Sequence, residues 1–289
     1  MEIVVQIGLN AIIAGALYTL VAVGFSLIYS AARFFDLGYG ALAASGGYSV
    51  YYFYDVLGLS LIPSLILGIL IAACLGVLIE IFIYRPLRVR KSSNTVMLVA
   101  SLGVLTVVQA SIAMLFTSQF RTLSKGIASE KVFNVFGGAI TETQVLILIT
   151  AMVIMIALAL TLRYSLFGKA VRAISDDEEV ANIVGIDSKK IMAAVFFIGT
   201  AIGGAAGIGM GFDTGLQPTI GFTLLLKGVV AAIIGGIGSI WGAALGAFLL
   251  ALIENLGAWQ FSGEWKDAIA FGVLIVFLLF RPQGILGKK

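Results

Sequence analysis

The chain has 289 residues, of which 60% are hydrophobic and 11% charged, with a mean hydropathy of +1.10 and a net charge of +3. Soluble domains carry about 25% charged residues, so this composition excludes an ordinary soluble protein, and the small, dispersed positive charge offers nothing to nucleic acid. With no His and one Cys, Cys74, the chain lacks imidazole bases, histidine metal ligands and an internal disulfide.

A bilayer-crossing helix takes about 20 mostly apolar residues. Apolar segments fall at 3–30, 38–57, 61–84, 95–117, 142–162, 191–212, 222–236, 239–257 and 267–280. These runs are too long and continuous for barrel strands, which alternate over about 9–11 residues. The expected fold is all-α: one polytopic transmembrane helix bundle over 1–289, with eight to nine membrane segments. The segments 38–57, 222–236 and 267–280 are interrupted or short, so broken, tilted or re-entrant helices are expected there. The first segment lacks a basic n-region and reads as a retained helix rather than a cleaved signal. Cys74 lies in an apolar run and reads as a small core residue.

The basic residues divide unevenly. Arg33, Arg85, Arg88, Arg90, Lys91, Arg163, Lys169, Arg172, Lys189, Lys190, Arg281, Lys288 and Lys289 fall on one side, and Arg121, Lys125, Lys131 and Lys266 on the other. The richer side is expected to be cytoplasmic, which puts the C-terminus in the cytoplasm and the 118–143 loop outside. That loop reads as a docking surface or as a solvated connector.

Glycines are placed within the apolar segments. Gly199, Gly203 and Gly207 form one small-residue stripe, and Gly238, Gly242 and Gly246 another; such faces let helices approach closely in lipid. Packing within the bundle is the simpler reading, ahead of a dimer seam. Gly235-Gly236-Ile237-Gly238-Ser239 reads as a sharp turn. Phe35-Asp36-Leu37-Gly38 and Phe212-Asp213-Thr214-Gly215 each follow a long apolar segment, a hint of two related halves.

Charges near lipid require partners. Glu80 is expected to reach toward the Arg85 cluster. Asp213, Lys227 and Glu254 are candidates for a polar translocation path. Boundary anchoring and pairing within the chain is the simpler account of them, as it is of Asp36.

One segment stands apart. Residues 163–190 hold Arg163, Lys169, Arg172, Asp176, Asp177, Glu178, Glu179, Asp187, Lys189 and Lys190, a dense cluster of charge in an apolar chain. Ser175 with Glu178 reads as a capping box, and Asp176, Asp177 and Glu178 suit the positive end of a helix. Val180, Ile183 and Val184 share one apolar face, Gly185 stops the helix, and Ile186 can pack back over its last turn. A helix this short is marginal in water alone, so it must dock on something. No G-x-x-x-x-G-K-[ST] motif is present, so any ATP chemistry belongs to a partner.

With Gly168-Lys169-Ala170-Val171-Arg172-Ala173 followed by Asp176, Ala181 and Gly185-Ile186, the chain resembles the permease subunits of ATP-binding-cassette importers for branched-chain amino acids. Gln217-Pro218, Gly221, Lys227, the run Gly235 to Ala243 and the closing Arg281-Pro282-Gln283-Gly284-Ile285-Leu286 carry the same likeness, which covers essentially the whole length. Where that family often has Asn-Phe-Ala-His-Gly, this chain has Asp36-Leu37-Gly38-Tyr39-Gly40, and the wider family also takes urea, amides and other amino acids. The resemblance implies a non-enzymatic, multi-pass inner-membrane permease with no cofactor of its own. It implies two cytoplasmic ATPase subunits using ATP and Mg2+, a second permease chain and an extracytoplasmic binding protein. It also makes 163–190 the ATPase-coupling segment, with Gly168, Arg172, Ser175, Asp176, Glu178, Val180, Ala181, Ile183, Val184 and Gly185 as its working residues. An ion-coupled secondary transporter is the rival reading.

Overall fold

A computed structural model of the protein describes residues 2–123, 131–281 and 283–286. Its architecture is helical, and the sole sheet among the described residues is a two-stranded hairpin. The centre is α1 (Glu2–Ala32), buried on almost every face from Ala11 to Ile28. A helix that is apolar all round belongs inside a bundle or in lipid, and here the bundle takes it. Its most apolar stretch is 89% buried, against 17% for α6 (Glu142–Tyr164) and 28% for α5 (Asn94–Phe116), which stand at the periphery. The helix stops where Arg33 adopts φ +58 and its N–H reaches the Tyr29 carbonyl.

Six helices are long and apolar enough to cross a bilayer among the described residues: α1, Leu61–Val89, α5, α6, α9 (Ser188–Asp213) and α11 (Ile240–Gln260). This is fewer than the eight to nine segments expected from the hydropathy pattern. Three of the apolar runs make shorter helices: α2 (Gly38–Tyr51), α10 (Ile220–Gly235) and α12 (Lys266–Phe280), of 14, 16 and 15 residues. At 1.5 Å per residue these reach only about 21–24 Å, against a hydrocarbon core of ~30 Å. A π-helical turn, Tyr52–Val56, prolongs α2. Another, Glu80–Tyr84, joins α3 (Leu61–Ile79) to α4 (Arg85–Val89) within the Leu61–Val89 span. Cys74, expected in the core, is exposed on α3, because the side of α3 that packs inward is the small-residue stripe Ser64, Gly68, Ala72, Ala73 and Gly76.

Two triplets, α1–α2–α3 and α9–α10–α11, interlock. The helix α1 packs on α10 and α11, α9 packs on α2 and α3, and the first two helices of each triplet meet their counterparts. Glycines set these crossings. A Cβ on Gly24 would lie 2.9 Å from the Gly199 carbonyl, and one on Gly199 would lie 3.2 Å from that of Gly24. Gly40 of α2 and Gly221 of α10 face each other with the same reciprocity, each too close to the other's carbonyl for a side chain. The Phe-Asp phrases fall near the end of the first helix of each triplet, Phe35-Asp36 just beyond α1 and Phe212-Asp213 as the last residues of α9.

Both small-residue stripes are consumed inside the chain. Gly203 lies against the Tyr39 ring and Gly207 against the Ala43 backbone; Gly242 and Gly246 lie against Gly235 and Ala231 of α10. Gly236 and Gly238, at φ +102 and +89, make the sharp turn between α10 and α11. The tail is pinned beneath that turn, where the N–H groups of Ile285 and Leu286 donate to the Ile234 and Gly235 carbonyls at 2.8 and 2.9 Å. At the other end, β1 (Val132–Val135) pairs antiparallel with β2 (Gly138–Thr141). The expected 118–143 loop is thus partly a hairpin, and its residues 124–130 lie outside the described residues.

Gly221→Val is expected to force the α2–α10 crossing apart. Overpacking costs typically about 1–3 kcal/mol, so the detergent-solubilised variant should melt clearly below wild type. Gly103→Ala, at a position with open space around it, should melt at or slightly above wild type.

Candidate functional site

The polar segment after α6 forms two short helices. The Ser165 hydroxyl accepts from the Gly168 N–H at 3.1 Å and opens α7 (Leu166–Asp176), which buries Gly168, Val171 and Ile174. Gly168 sits against the Leu162 backbone with no room for a side chain, and Arg172 donates to the Leu162 carbonyl. The turn from α6 into α7 is therefore held by two of the residues singled out in the sequence.

The next helix, α8 (Glu178–Ile183), starts two residues later than the expected capping box. Its cap is Asp177, whose carboxylate accepts from the N–H groups of Glu179 and Val180 at 2.8 and 3.0 Å. Ser175 lies instead in the last turn of α7, where its carbonyl and hydroxyl accept from the Arg33 guanidinium. An Asp side chain competes with helical continuation by bonding the backbone ahead of it, and a carboxylate suits the positive helix end better than a hydroxyl. The stop is as the sequence implied. Gly185 takes φ +91, its N–H donates to the Asn182 carbonyl at 3.1 Å, and the Ile186 N–H donates to the Ala181 carbonyl at 3.0 Å. That is a Schellman closure, and Ile186 packs on the core beneath it. Asp187 then caps α9 by accepting from the Lys190 N–H at 3.2 Å, and that N–H and the Lys190 ammonium hold its carboxyl below the ordinary range.

Of the α8 residues only Ala181 is buried. Val180, Ile183 and Val184 are 54%, 83% and 70% exposed. Beside α8 lies an open cleft of ≈ 580 Å³ lined by Arg33, Arg88 and Lys91 on one side and Asp176, Asp177 and Glu178 on the other. The structure thus brings all the sequence-selected residues of 168–185 into one small polar platform with an uncovered apolar tip.

The membrane charges sort differently. Lys227, midway along α10, places its ammonium 2.9 Å from Glu254 of α11 and 3.0 Å from Asp267 at the start of α12. Glu254 also accepts from the Tyr18 hydroxyl at 2.8 Å, and the ammonium lies 5.6 Å from the Tyr18 ring centre. Lys227 and Glu254 are buried. Asp213 is elsewhere: it accepts from Gln144 at 3.0 Å, tying the end of α9 to the start of α6. Two of the three path candidates therefore meet. Tyr18 and Asp267 were not legible as their partners, because an aromatic in an apolar helix and an acid at a helix start carry no such signal. Glu80 is fully buried and takes Arg88 through both oxygens, at 2.9 and 3.3 Å; Arg88 belongs to the basic cluster toward which Glu80 is expected to reach.

Asp36 is no boundary anchor. It is fully buried in the connection between α1 and α2 and accepts from the Tyr84 hydroxyl at 2.6 Å. Burial pushes its carboxyl up to about 6, although the Tyr84 bond opposes the rise.

Residues 7–278 match the family described as branched-chain amino acid transport system, permease component. The chain belongs to this family. Among its relatives is the high-affinity branched-chain amino acid transport system permease protein BraD of Pseudomonas aeruginosa, 33% identical over 96% of this chain and 94% of that one. The permease protein LivH of the same kind of system in Escherichia coli is 32% identical over the same shares. A solved chain of PsaBC from Streptococcus pneumoniae, in complex with Fab, shares the fold: its TM-score is 0.53 at 14% identity, over 95% of this permease and 91% of that chain. The protein is therefore a multi-pass membrane permease component, of a family that transports rather than catalyses.

Two stability measurements probe these polar sites. Lys227→Met strands the buried Glu254 charge, and breaking a buried pair costs about 3–5 kcal/mol. Lys227→Met with Glu254→Leu should recover much of that loss in a thermal-melt comparison. For Asp36 the native state holds its proton more tightly than the unfolded chain. Stability should therefore fall as pH rises from the ordinary carboxylate range through about 6, by on the order of 3 kcal/mol. Asp36→Asn should flatten that slope between pH 4 and 8.

Proposed function

We propose that this chain is a membrane-spanning subunit of an ATP-binding-cassette importer that moves branched-chain or related aliphatic amino acids across the inner membrane. The observation that carries the reading is α8: a six-residue helix, rigidly capped at both ends, that leaves Val180, Ile183 and Val184 uncovered. A monomer gains nothing by exposing such a tip, whereas a partner's groove would bury it. We assign that groove to a cytoplasmic ATPase subunit, with Arg172 and the acids of 176–179 fixing register. Two ATPase subunits would hydrolyse ATP with Mg2+, a second permease chain would complete the path, and a binding protein would deliver solute from outside. The branched-chain amino acid transport systems to which BraD and LivH belong support the solute class.

We assign the coupling segment, and with it the C-terminus, to the cytoplasmic side, where the basic residues are concentrated. The end of α1 and the end of the Leu61–Val89 span both lie beside it, through Arg33–Ser175 and Lys91–Glu179. For two successive helices to end on one side, α2 must return the chain to the other. The same alternation applied to α10 and α12 supports nine passes, three of them made by helices too short to span unaided. The buried Lys227–Glu254 pair is a feature an ion-coupled transporter would also use. Co-purification with ATPase subunits separates the readings.

Ile183→Asp in the assembled transporter should insert normally yet lose at least tenfold in ATP-driven uptake, because a charge cannot enter an apolar groove unpaired. Uptake at the wild-type rate would remove α8 as the coupling element.

A further inference from the structure

The cavity between α10 and α12, of ≈ 210 Å³, lies over the Lys227 cluster and has no role in the reading above. We infer that it is a solute site for the zwitterionic head and aliphatic side chain of an amino acid. The head sits between Lys227 and Asp267, and the side chain lies against Phe222, Leu226, Val230 and Phe271. This rests on the amino-acid reading of the function and names where that solute would bind.

The charge pattern selects the ligand. One ammonium, Lys227, is met by two carboxylates at 2.9 and 3.0 Å. Glu254 is committed: its side chain is 1% exposed and the Tyr18 hydroxyl bonds it as well. Asp267 is 66% exposed, and a carboxylate has about four acceptor sites, so it can take a second cation while keeping the first. Lys266 does not supply that cation, since its ammonium turns toward Asn255 at 3.5 Å. A ligand ammonium fits the surplus negative charge. Lys227 has three N–H donors, of which Glu254 and Asp267 take two, and the third is available to a ligand carboxylate. Fixed charges of both signs, already held apart by the fold, replace the hydration that a zwitterion loses on entering a low-dielectric site.

The walls select within that class. Apart from Thr223, the rest of the lining is apolar: Phe222, Leu226, Val230, Ala270 and Phe271; urea or a simple amide would leave this apolar wall unused. The volume is below the ~300–1,000 Å³ of pockets for drug-sized ligands, in keeping with a small metabolite. The site opens near the junction of α11 and α12, the end of the bundle opposite α8 and thus the side on which a binding protein would release solute.

The test uses the assembled transporter in nanodiscs without its binding protein, with radiolabelled leucine as probe. Wild type should bind leucine saturably, with competition by valine and none by 4-methylpentanoate, which lacks the ammonium. Asp267→Asn, a change at an exposed side chain, should weaken leucine binding at least tenfold while the complex stays monodisperse. Phe271→Trp, which fills the cavity, should weaken leucine more than valine. Wild-type binding in both variants, or competition by 4-methylpentanoate equal to that of valine, would overturn the site. Uptake of leucine with the binding protein present, but no saturable binding without it, would overturn the site and leave the proposed function standing. A complete transporter that takes up no aliphatic amino acid would overturn both.

Discussion

Close backbone approach at glycine governs this fold. In lipid there is no hydrophobic force between helices, and association rests on van der Waals contact and polar bonds. The two triplets interlock because Gly24 with Gly199, and Gly40 with Gly221, each set the Cα of one helix against the backbone carbonyl of the other. Those crossings draw α1 into the centre, and the burial of α1 in turn fixes where α10 and α11 lie. The short helices α2 and α10 are tolerated at their lengths because they are the inner members of the triplets. Their polar ends find partners in protein rather than facing hydrocarbon.

Once the helices are that close, few places remain for charge, and each is specific. Glu80 pairs with Arg88 within one span, whereas Asp36 with Tyr84, and Lys227 with Glu254 and Tyr18, join parts of the chain distant in sequence. They differ in completeness. The Glu80 carboxylate is matched through both oxygens, whereas one Asp36 oxygen has no hydrogen-bond partner. Around Lys227 the carboxylates outnumber the cation, and Asp267 remains open to solvent. A structural ion pair in a membrane is best served by exact neutrality and full burial. The Lys227 cluster has neither, and it borders a cavity; those departures mark it as a place for a ligand.

The α7–α8 platform shows the opposite economy. It is polar, over-determined by caps, and anchored to α1 through Arg33 and to α6 through the Leu162 carbonyl. Val171 and Ile174 pack inward, yet Val180, Ile183 and Val184 at the tip are exposed. In the proposed coupling role, force applied at Ile183 would pass into α6 and α9, the two helices that flank the segment. The helix α9 lies on α1, α2 and α3 together, so the platform would act on the central crossings through it.

Much of this was legible along the chain. Apolar runs located the helices, the glycine turn at 235–239 was found from composition, and the stop at Gly185 followed from its permissive backbone. The platform stood out because charge is scarce elsewhere. Other features escaped for stated reasons. Asp177 displaced Ser175 as cap because two nearby side chains can each compete for the same N–H groups, and only the path of the chain decides between them. Only six helices among the described residues are long enough to span unaided, because hydropathy registers apolarity and not the length of the helix a run makes. The sequence by itself determined a helical membrane protein, since a preference for lipid depends on residue type and run length alone, and its motifs carried the resemblance to a permease family. Only the tertiary structure decided which helices cross at glycine and that Tyr18, Lys227, Glu254 and Asp267 share one site. Those facts depend on contacts between residues up to 249 positions apart (Tyr18 to Asp267), which no local pattern records.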